Sequence, residues 1–461
     1  MAAVRVLHEI QISPSPLLPT QPPQPLSYLD SIWLRSSLRV ERLFFYDYPH
    51  PISHFRHHEL PNLTKSLSLA LRHFYLLAGS IRPSPVSDDQ FEIAYTEGDS
   101  VPVTVAEFIG DGDDDFRSIS GHQPRDIKTL RVLVPKQEKS SSGGESTLLS
   151  IQITLFRNKG ICVCFATYHA ACDGSASMQF IRSWAAAHQS PESVLENISP
   201  PFLDRSVIVD THRIDQKLID LANRFKEMLK ENYLKEKESL PASEPDLVSA
   251  SFTLSKDQIA RLKERVRSKG VEKGKPTLHI SAFVVTCAHV WRCLEKAREN
   301  EKAIKHYFSS AVDWRSRMKP APLPSNYFGN CVGACVAELE AGELVGKEGL
   351  ELAAMEIGKC IDGLQGRDIG EVLGEAIDLL MSLAGSSRPL SVAGSPKLGV
   401  YETDFGWGKP VKVEITSIHE TGAISLAESR GEEGGLEIGL VLPEEEMKKF
   451  GNCFSSDLLH V

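Results

Sequence analysis

The chain has 461 residues, of which 41% are hydrophobic and 24% are charged, a balance typical of folded globular proteins that excludes wholesale disorder. Its 51 basic and 61 acidic residues give a formal net charge of −10, which argues against a nucleic-acid-binding protein. The length exceeds one ordinary hydrophobic core and predicts two large domains.

The cysteines and the hydropathy pattern indicate a reducing compartment. The nine cysteines are an odd number scattered through apolar segments, as expected of free buried thiols. The N-terminal stretch lacks the apolar core of a secretion signal, and no run of 18 apolar residues could form a membrane span. We therefore expect a cytoplasmic chain and, since no long heptad array demands assembly, a monomer.

No metal site is predicted. Cys331 and Cys335 lack the second ligand pair that a structural zinc site needs. The acidic run at 110–116 resembles a calcium loop only superficially, because Phe116 stands where the tight glycine belongs and His122 where the bidentate glutamate belongs.

The first 189 residues alternate between strand and helix patterns. Helical spacing at 63–77 predicts a helix with Thr64 as its N-cap and Gly79 just beyond its end. The proline-rich stretch 13–25 is expected to be extended, and the polar stretch 136–145 to be a loop. Strands are predicted at 5–12, 91–95, 130–134, 148–156 and 161–167.

The pattern changes after Trp184. Residues 190–205 have turn chemistry and form the predicted crossover between domains, followed by an amphipathic helix at 215–238. Further helices are predicted from Ser255 and from Thr277, and strands at 247–254, 306–312, 332–339, 411–416 and 436–442. The expected fold is mixed α/β, with an N-terminal domain at 1–189, a linker at 190–214 and a C-terminal domain at 215–461.

The sequence HAACDG at 169–174 is the first candidate for chemistry. It follows the apolar run 161–167, small residues separate His169 from Asp173, and Gly174 permits a sharp turn. Neutral imidazole can accept a proton from a hydroxyl at physiological pH, so His169 is a candidate general base. The alternative is a buried His–Asp hydrogen bond that only closes a turn. Residues 122–126 show the same HxxxD spacing in a polar, proline-broken stretch, which indicates a surface loop.

Two other readings of this region are weaker. Cys172 could be a nucleophile beside His169, but no second histidine or asparagine is placed to orient such a pair, and buried cysteine usually behaves as a small hydrophobe. A serine esterase is disfavoured because the chain has no GxSxG elbow.

The second candidate is DFGWG at 404–408. Two glycines around one of only five tryptophans indicate a tight backbone that presents an indole. The Trp407 N–H could donate to a developing oxyanion, or the ring could simply fill the core at a bulge.

Together these motifs resemble the plant BAHD acyl-CoA-dependent acyltransferases, which carry HxxxDG in mid-chain and DFGWG near the C-terminus. The likeness covers almost the whole chain, including 67–81 (with Leu77 in place of the family's usual proline), 312–331 and 392–410. The YFGNC element at 327–331 and the segment 424–442 are similar to the subgroup that acylates anthocyanin, flavonoid and other phenolic glycosides.

The resemblance implies two chloramphenicol-acetyltransferase-like domains, each a mixed sheet flanked by helices, with an active-site channel at their interface. It implies that His169 deprotonates an acceptor hydroxyl, which attacks the thioester of acyl-CoA directly, and Trp407 is the candidate oxyanion donor. Acyl-CoA is then a co-substrate, and no permanently bound cofactor is expected. Asp173 is implied to be structural and paired with Arg315. The other residues implied to be structural at the site are Gly174, Asp404, Gly406 and Gly408.

The donor and the acceptor are less constrained. Ser255 and Lys256 open a predicted helix, whose free N–H groups would favour a CoA phosphate. The subgroup often uses malonyl-CoA, whose carboxylate needs a cation, and Arg182 is the visible candidate. The expected activity is therefore malonyl transfer to a phenolic or flavonoid glycoside. The alternatives are a hydroxycinnamoyl-CoA transferase and a non-catalytic paralogue that binds its ligands without turnover.

Overall fold

The computed structural model describes residues 2–34, 38–110, 112, 115–136, 146–190, 200–221, 223–224, 246–272, 280–300, 304–383 and 389–459. The strands in chain order are β1 (Ala3–Ile12), β2 (Gln24–Pro25), β3 (Arg39–Asp47), β4 (Ser80–Ser84), β5 (Ser87–Ala94), β6 (Val101–Ile109), β7 (Arg125–Asp126), β8 (Ser146–Thr147), β9 (Leu149–Phe156), β10 (Gly160–Tyr168), β11 (Leu247–Leu254), β12 (Lys305–Asp313), β13 (Val332–Glu340), β14 (Leu390–Ala393), β15 (Lys412–Ile415), β16 (Ile424–Glu428) and β17 (Leu436–Pro443).

The helices are α1 (Tyr28–Leu34), α2 (Ile52–His54), α3 (Leu60–His73), α4 (Asp115–Ile119), α5 (Ile127–Arg131), α6 (Gly174–Gln189), α7 (Lys256–Glu272), α8 (Ala282–Arg298), α9 (Ala341–Val345), α10 (Gly349–Asp362), α11 (Ile369–Ser382), α12 (Ile418–Thr421) and α13 (Glu444–Leu459). Residues 214–221 are also helical. Within the described part of the chain, no helix is both long and apolar enough to cross a bilayer.

The chain divides into two compact units. Unit 1 comprises Met1–Asp210, Pro322–Cys331 and Pro396–Ser417, and unit 2 comprises Thr211–Ala321, Val332–Ser395 and Ile418–Val461. Two stretches of the C-terminal half belong to unit 1, since β15 pairs with β3 and the Cys331 N–H donates to Asp173. The units group residues that pack together, and they are not continuous in sequence. The predicted domain boundaries at 189 and 215 therefore stay a prediction.

Unit 1 contains a mixed sheet in the order β1-β6-β9-β10-β3-β15, in which β6 and β9 run parallel and the other pairs are antiparallel. Strands β9 and β10 are buried along their whole length, as their continuous apolar runs require. On one face, Trp184 of α6 packs edge-on against Phe165 of β10, and its indole N–H donates to Ser66 Oγ of α3 over 3.1 Å. A smaller sheet has the order β2-β5-β4-β8.

Unit 2 contains a second mixed sheet, with its strands in the order β13-β12-β14-β16-β17-β11. Strand β14 is parallel to both neighbours, and the other pairs are antiparallel. The almost wholly buried helix α8 supplies much of its core, with Trp291 packed 5.7 Å from Phe308 of β12 between ring centroids. The predicted mixed α/β fold with a sheet in each half is thereby confirmed.

Local predictions failed where a side-chain cap overrode an apolar pattern. Residues 130–134, predicted as a strand, fall at the end of α5 and the turn after it, because Asp126 caps that helix by accepting the Lys128 N–H over 2.8 Å. Residues 122–124 are exposed and irregular, as predicted for a surface loop, and Asp126 ends the stretch as a helix cap. Thr64 is not an N-cap either. Its hydroxyl donates to the Pro61 carbonyl inside α3, which begins earlier than predicted.

Several predicted features lie wholly or largely outside the described residues. They are the Thr277 cap, the loop at 137–145, the middle of the crossover at 191–199 and most of the helix at 215–238.

Candidate functional site

His169 lies at the end of the buried strand β10 and is partly accessible to solvent. Its backbone N–H donates to the Leu38 carbonyl over 2.9 Å, and its ring stacks on the indole of Trp33 with 3.7 Å between centroids and 15° between planes. The buried small side chains of Ala170 and Ala171 allow the chain to turn tightly here. The backbone of His169 is therefore fixed at a strand end, and one face of its imidazole is held by Trp33.

Burial lowers the pKa of His169 below its ordinary value of 6.5, against weaker opposite effects of its own backbone, Asp173, Asn330 and Asp30. The ring is consequently neutral at physiological pH and can accept a proton. Its Nδ1 is buried without a hydrogen-bond partner among the described residues, and the same holds for Asn330 Oδ1. Hydrogen bonding by Asn330 is also one of the effects that raise this pKa. An Nδ1–H group that donates to Asn330 Oδ1 would hold the proton on Nδ1 and leave Nε2 as the base.

Asn330 is oriented by a buried network that the sequence did not suggest. Its Nδ2 donates to Asp30 Oδ1 and to the His169 carbonyl, both over 2.9 Å, so its Oδ1 is directed elsewhere. Asp30 Oδ2 pairs with Arg205 Nη1 at 2.7 Å, and both side chains are fully buried. Arg205 Nη2 in turn donates to the carbonyl of Ala171 over 2.6 Å. An ion pair thus holds the backbone of the HAACDG turn and the amide beside His169.

Asp173 is an N-cap. Its Oδ1 accepts the Ala176 N–H and its Oδ2 accepts the Cys331 N–H, both over 3.0 Å, which ties α6 to the YFGNC element. Gly174 begins α6 directly after the turn and does not adopt a positive φ, so no left-handed backbone requires glycine at this position. A side chain there would instead press on Leu398, whose Cδ1 would lie 3.2 Å from the new Cβ.

Arg315 belongs to unit 2, where its Nη1 lies 3.3 Å from Asp313 Oδ1. Its pairing with Asp173 stays a prediction.

The DFGWG loop is held by an Asx-type turn and by aromatic rings. Asp404 Oδ1 accepts the N–H groups of Gly406 and Gly408 over 2.6 and 3.0 Å, and these glycines have φ of +94° and +88°. The Trp407 N–H donates to Glu59 Oε2 over 3.0 Å. Its ring lies 5.5 Å from that of Tyr46 and 5.6 Å from that of His188.

These contacts place Trp407 far from His169. Tyr46 pairs with Ile161 at the opposite end of β10 from Tyr168, about 23 Å away along the strand. His188 is likewise in the last turn of α6, about 21 Å from Gly174 along the helix. An oxyanion donor must approach within about 3 Å of the reacting oxygen. This geometry adds no support for Trp407 as the oxyanion donor, and that role stays a prediction.

The start of α7 is already occupied by the protein's own groups. Ser255 Oγ accepts the Gln258 N–H over 3.1 Å, and Gln258 Oε1 accepts the Ser255 N–H over 2.8 Å. The Lys256 N–H donates to the carboxylate of Glu432 over 3.1 Å. A CoA contact at Ser255 and Lys256 remains a prediction to which this geometry adds no support.

One group of described residues could hold a metal ion. His289 and Cys293, one turn apart on α8, have ligand atoms within 4.8 Å of each other and of an Asp457 oxygen. Asp457 already accepts hydrogen bonds from Lys296 and is paired with Arg292. Two cations on its single carboxylate disfavour a divalent ion there.

Comparison with known proteins agrees with this fold. Residues 2–457 match the model of a family described as the transferase family. The chain is 37% identical over 439 residues to phenolic glucoside malonyltransferase 2 of Arabidopsis thaliana, covering 94% of each chain. It is 32% identical to agmatine coumaroyltransferase of the same plant, covering 98% of each. The crystal structure of vinorine synthase superposes with a TM-score of 0.69 at 22% identity, covering 97% of this chain and 96% of that one. The chain belongs to the BAHD acyltransferases of this transferase family.

Proposed function

We propose that this chain transfers an acyl group from acyl-CoA, with malonyl-CoA as the favoured donor, to a hydroxyl of a phenolic or flavonoid glycoside. The observation that carries the proposal is the neutral, partly accessible His169 ring fixed at the end of β10. The relative named as a phenolic glucoside malonyltransferase supports the choice of donor and acceptor.

In this mechanism His169 Nε2 takes the proton of the acceptor hydroxyl, and the oxygen attacks the thioester carbonyl. The tetrahedral intermediate collapses by breaking the C–S bond, and the imidazolium returns its proton to the departing CoA thiolate. No covalent acyl-enzyme forms, so buried Cys172 has no role as a nucleophile. Asp173 and the Asp30–Arg205 pair hold the turn and do not touch the reacting atoms.

A hydroxycinnamoyl donor is the second candidate, because a relative of similar identity is named as a coumaroyltransferase. The proposal further places the protein in the cytoplasm as a monomer, with domains at 1–189 and 215–461 joined by 190–214.

The test is the release of CoA thiol from malonyl-CoA and from coumaroyl-CoA with a panel of flavonoid and simple phenolic glucosides. Acceptor-dependent release that the His169→Ala variant lacks is expected. Release without acceptor would indicate a thioesterase instead, and no release with any pair would refute the chosen donors and acceptors.

A further inference from the structure

Trp33 lies on α1 and covers one face of the His169 imidazole. The two rings are nearly parallel, with 3.7 Å between their centroids and 15° between their planes. A cation is attracted to the face of an indole when it lies within about 6 Å of the ring centroid. A positive charge on the imidazole would therefore lie well within reach of the Trp33 π system.

The fold holds this indole in place through two contacts of α1. Asp30 lies three residues before Trp33, so the two side chains are neighbours on the helix surface. Its Oδ1 accepts the backbone and side-chain N–H groups of Asn330 over 3.0 and 2.9 Å. At the end of the helix, the Leu34 carbonyl accepts the hydroxyl of Tyr168, which directly precedes the candidate base, over 2.7 Å. The helix that presents the indole is thus bonded to the segment that presents the imidazole.

Burial makes the protonated form of His169 costly. Desolvation is the largest effect on this group and lowers its pKa, whereas its own backbone, Asp173, Asn330 and Asp30 raise it. Both carboxylates already accept hydrogen bonds from other groups, and Asp30 is also paired with Arg205. The proposed reaction nevertheless passes through an imidazolium, which holds the acceptor proton until the CoA thiolate leaves. The stacked indole can offset part of this cost, because it contacts the ring directly.

We infer that Trp33 is a positioning residue for His169, and that its indole face stabilises the imidazolium that forms when His169 takes the proton of the acceptor hydroxyl. The inference rests on the proposed function, because it assigns a supporting group to the same base. The stack fixes the plane of the imidazole, and the π face favours the protonated form over the neutral one. An aliphatic side chain at this position would cover the ring without that attraction.

The first test is a titration of the His169 ring in the wild type, Trp33→Leu, Trp33→Phe and Leu34→Ala. Leu34→Ala is the matched control, since it removes apolar surface from the next position of α1. The NMR signal of the His169 Cε1–H, identified by its absence in His169→Ala, reports protonation without any substrate. Trp33→Leu should move the midpoint to lower pH, because loss of the π face disfavours the imidazolium. Trp33→Phe should move it less, and Leu34→Ala should leave it in place.

Steady-state kinetics with malonyl-CoA and a phenolic glucoside give the second readout. Trp33→Leu should lower kcat and kcat/KM together by about 3- to 30-fold, because the attraction arises only once the proton has moved to the ring. KM and the kcat of Leu34→Ala should each stay within about twofold. Should Trp33→Leu fail to fold, Trp33→Phe provides the same two readouts with smaller changes.

The inference is overturned by a midpoint that stays or rises in Trp33→Leu, since the indole then only excludes water from the ring. A kcat within twofold of the wild type, or equal changes in Leu34→Ala, overturns it as well. Failure of the proposed function looks different. If the wild type transfers no acyl group to any acceptor, that function fails, and the titration alone then decides whether Trp33 favours the imidazolium.

Discussion

Two loops of unit 1 use an aspartate in similar ways and are otherwise built on different principles. In both the HAACDG turn and the DFGWG loop, a carboxylate accepts two backbone N–H groups. The first loop is further held by the buried Asp30–Arg205 pair, and the second by Phe405 and Trp407 packed among other rings. The polar network surrounds the candidate base, whereas the aromatic cluster stands at the far end of β10. The first loop therefore supports the candidate base through polar contacts, and the second packs on the sheet through its rings.

Among the variants that test this difference between the loops, His169→Ala should have the largest effect on activity. Loss of a general base should lower kcat by about 10²- to 10⁴-fold, since the acceptor hydroxyl then lacks a proton acceptor. The melting temperature should fall only slightly, because the variant loses the stacking on Trp33 and the interaction with Asn330 but leaves no charge buried. A variant that retains more than a tenth of wild-type kcat would contradict the role of His169.

Replacement of Arg205 tests whether Asp30 and Arg205 stabilise the fold as an ion pair. Arg205→Met leaves Asp30 buried and unpaired, which should cost about 3–5 kcal/mol of unfolding free energy. The double variant Asp30→Asn with Arg205→Met should recover part of that loss, because no charge is then left unpaired. Urea denaturation measures both, and additive losses would mean that the two side chains act independently.

The pH profile tests Asn330. Because the base must be neutral, kcat/KM falls as pH drops through the pKa of His169, and burial places that limb below the ordinary 6.5. Asn330 raises this pKa, so Asn330→Ala should move the limb to lower pH and reduce kcat about tenfold through loss of the ring's orientation. A lower kcat with an unmoved limb would assign Asn330 a purely structural role.

Sequence reasoning succeeded for local structure that depends on neighbours in the chain. The apolar run at 161–167 correctly placed His169 at the end of a buried strand, β10. It failed for Asp30 and Arg205, which meet only after folding. One lies in the apolar run SYLDSIWL and the other in a proline-rich linker. A lone acid in an apolar helical run was the only available signal.

The position of Trp407 was beyond sequence reasoning for the same reason. Two flanking glycines indicate a presented indole, but its distance from His169 is set by the long-range pairing of β15 with β3 and by the packing of Trp407 against Tyr46. Neither the strand pairing nor the ring contact is visible in a local sequence pattern.

The smallest expected effect separates the two loops most cleanly. Trp407→Phe removes the hydrogen bond to Glu59 and part of a half-exposed ring, which should cost about 1–2 kcal/mol of unfolding free energy and leave kcat within about twofold. Had the indole been the oxyanion donor, kcat would fall about 10²- to 10³-fold. Trp33→Phe is the matched control, since it makes the same change in the ring stacked on His169 and should shift the acid limb of kcat/KM. A large loss of kcat in Trp407→Phe at unchanged stability would show that the aromatic cluster takes part in catalysis after all.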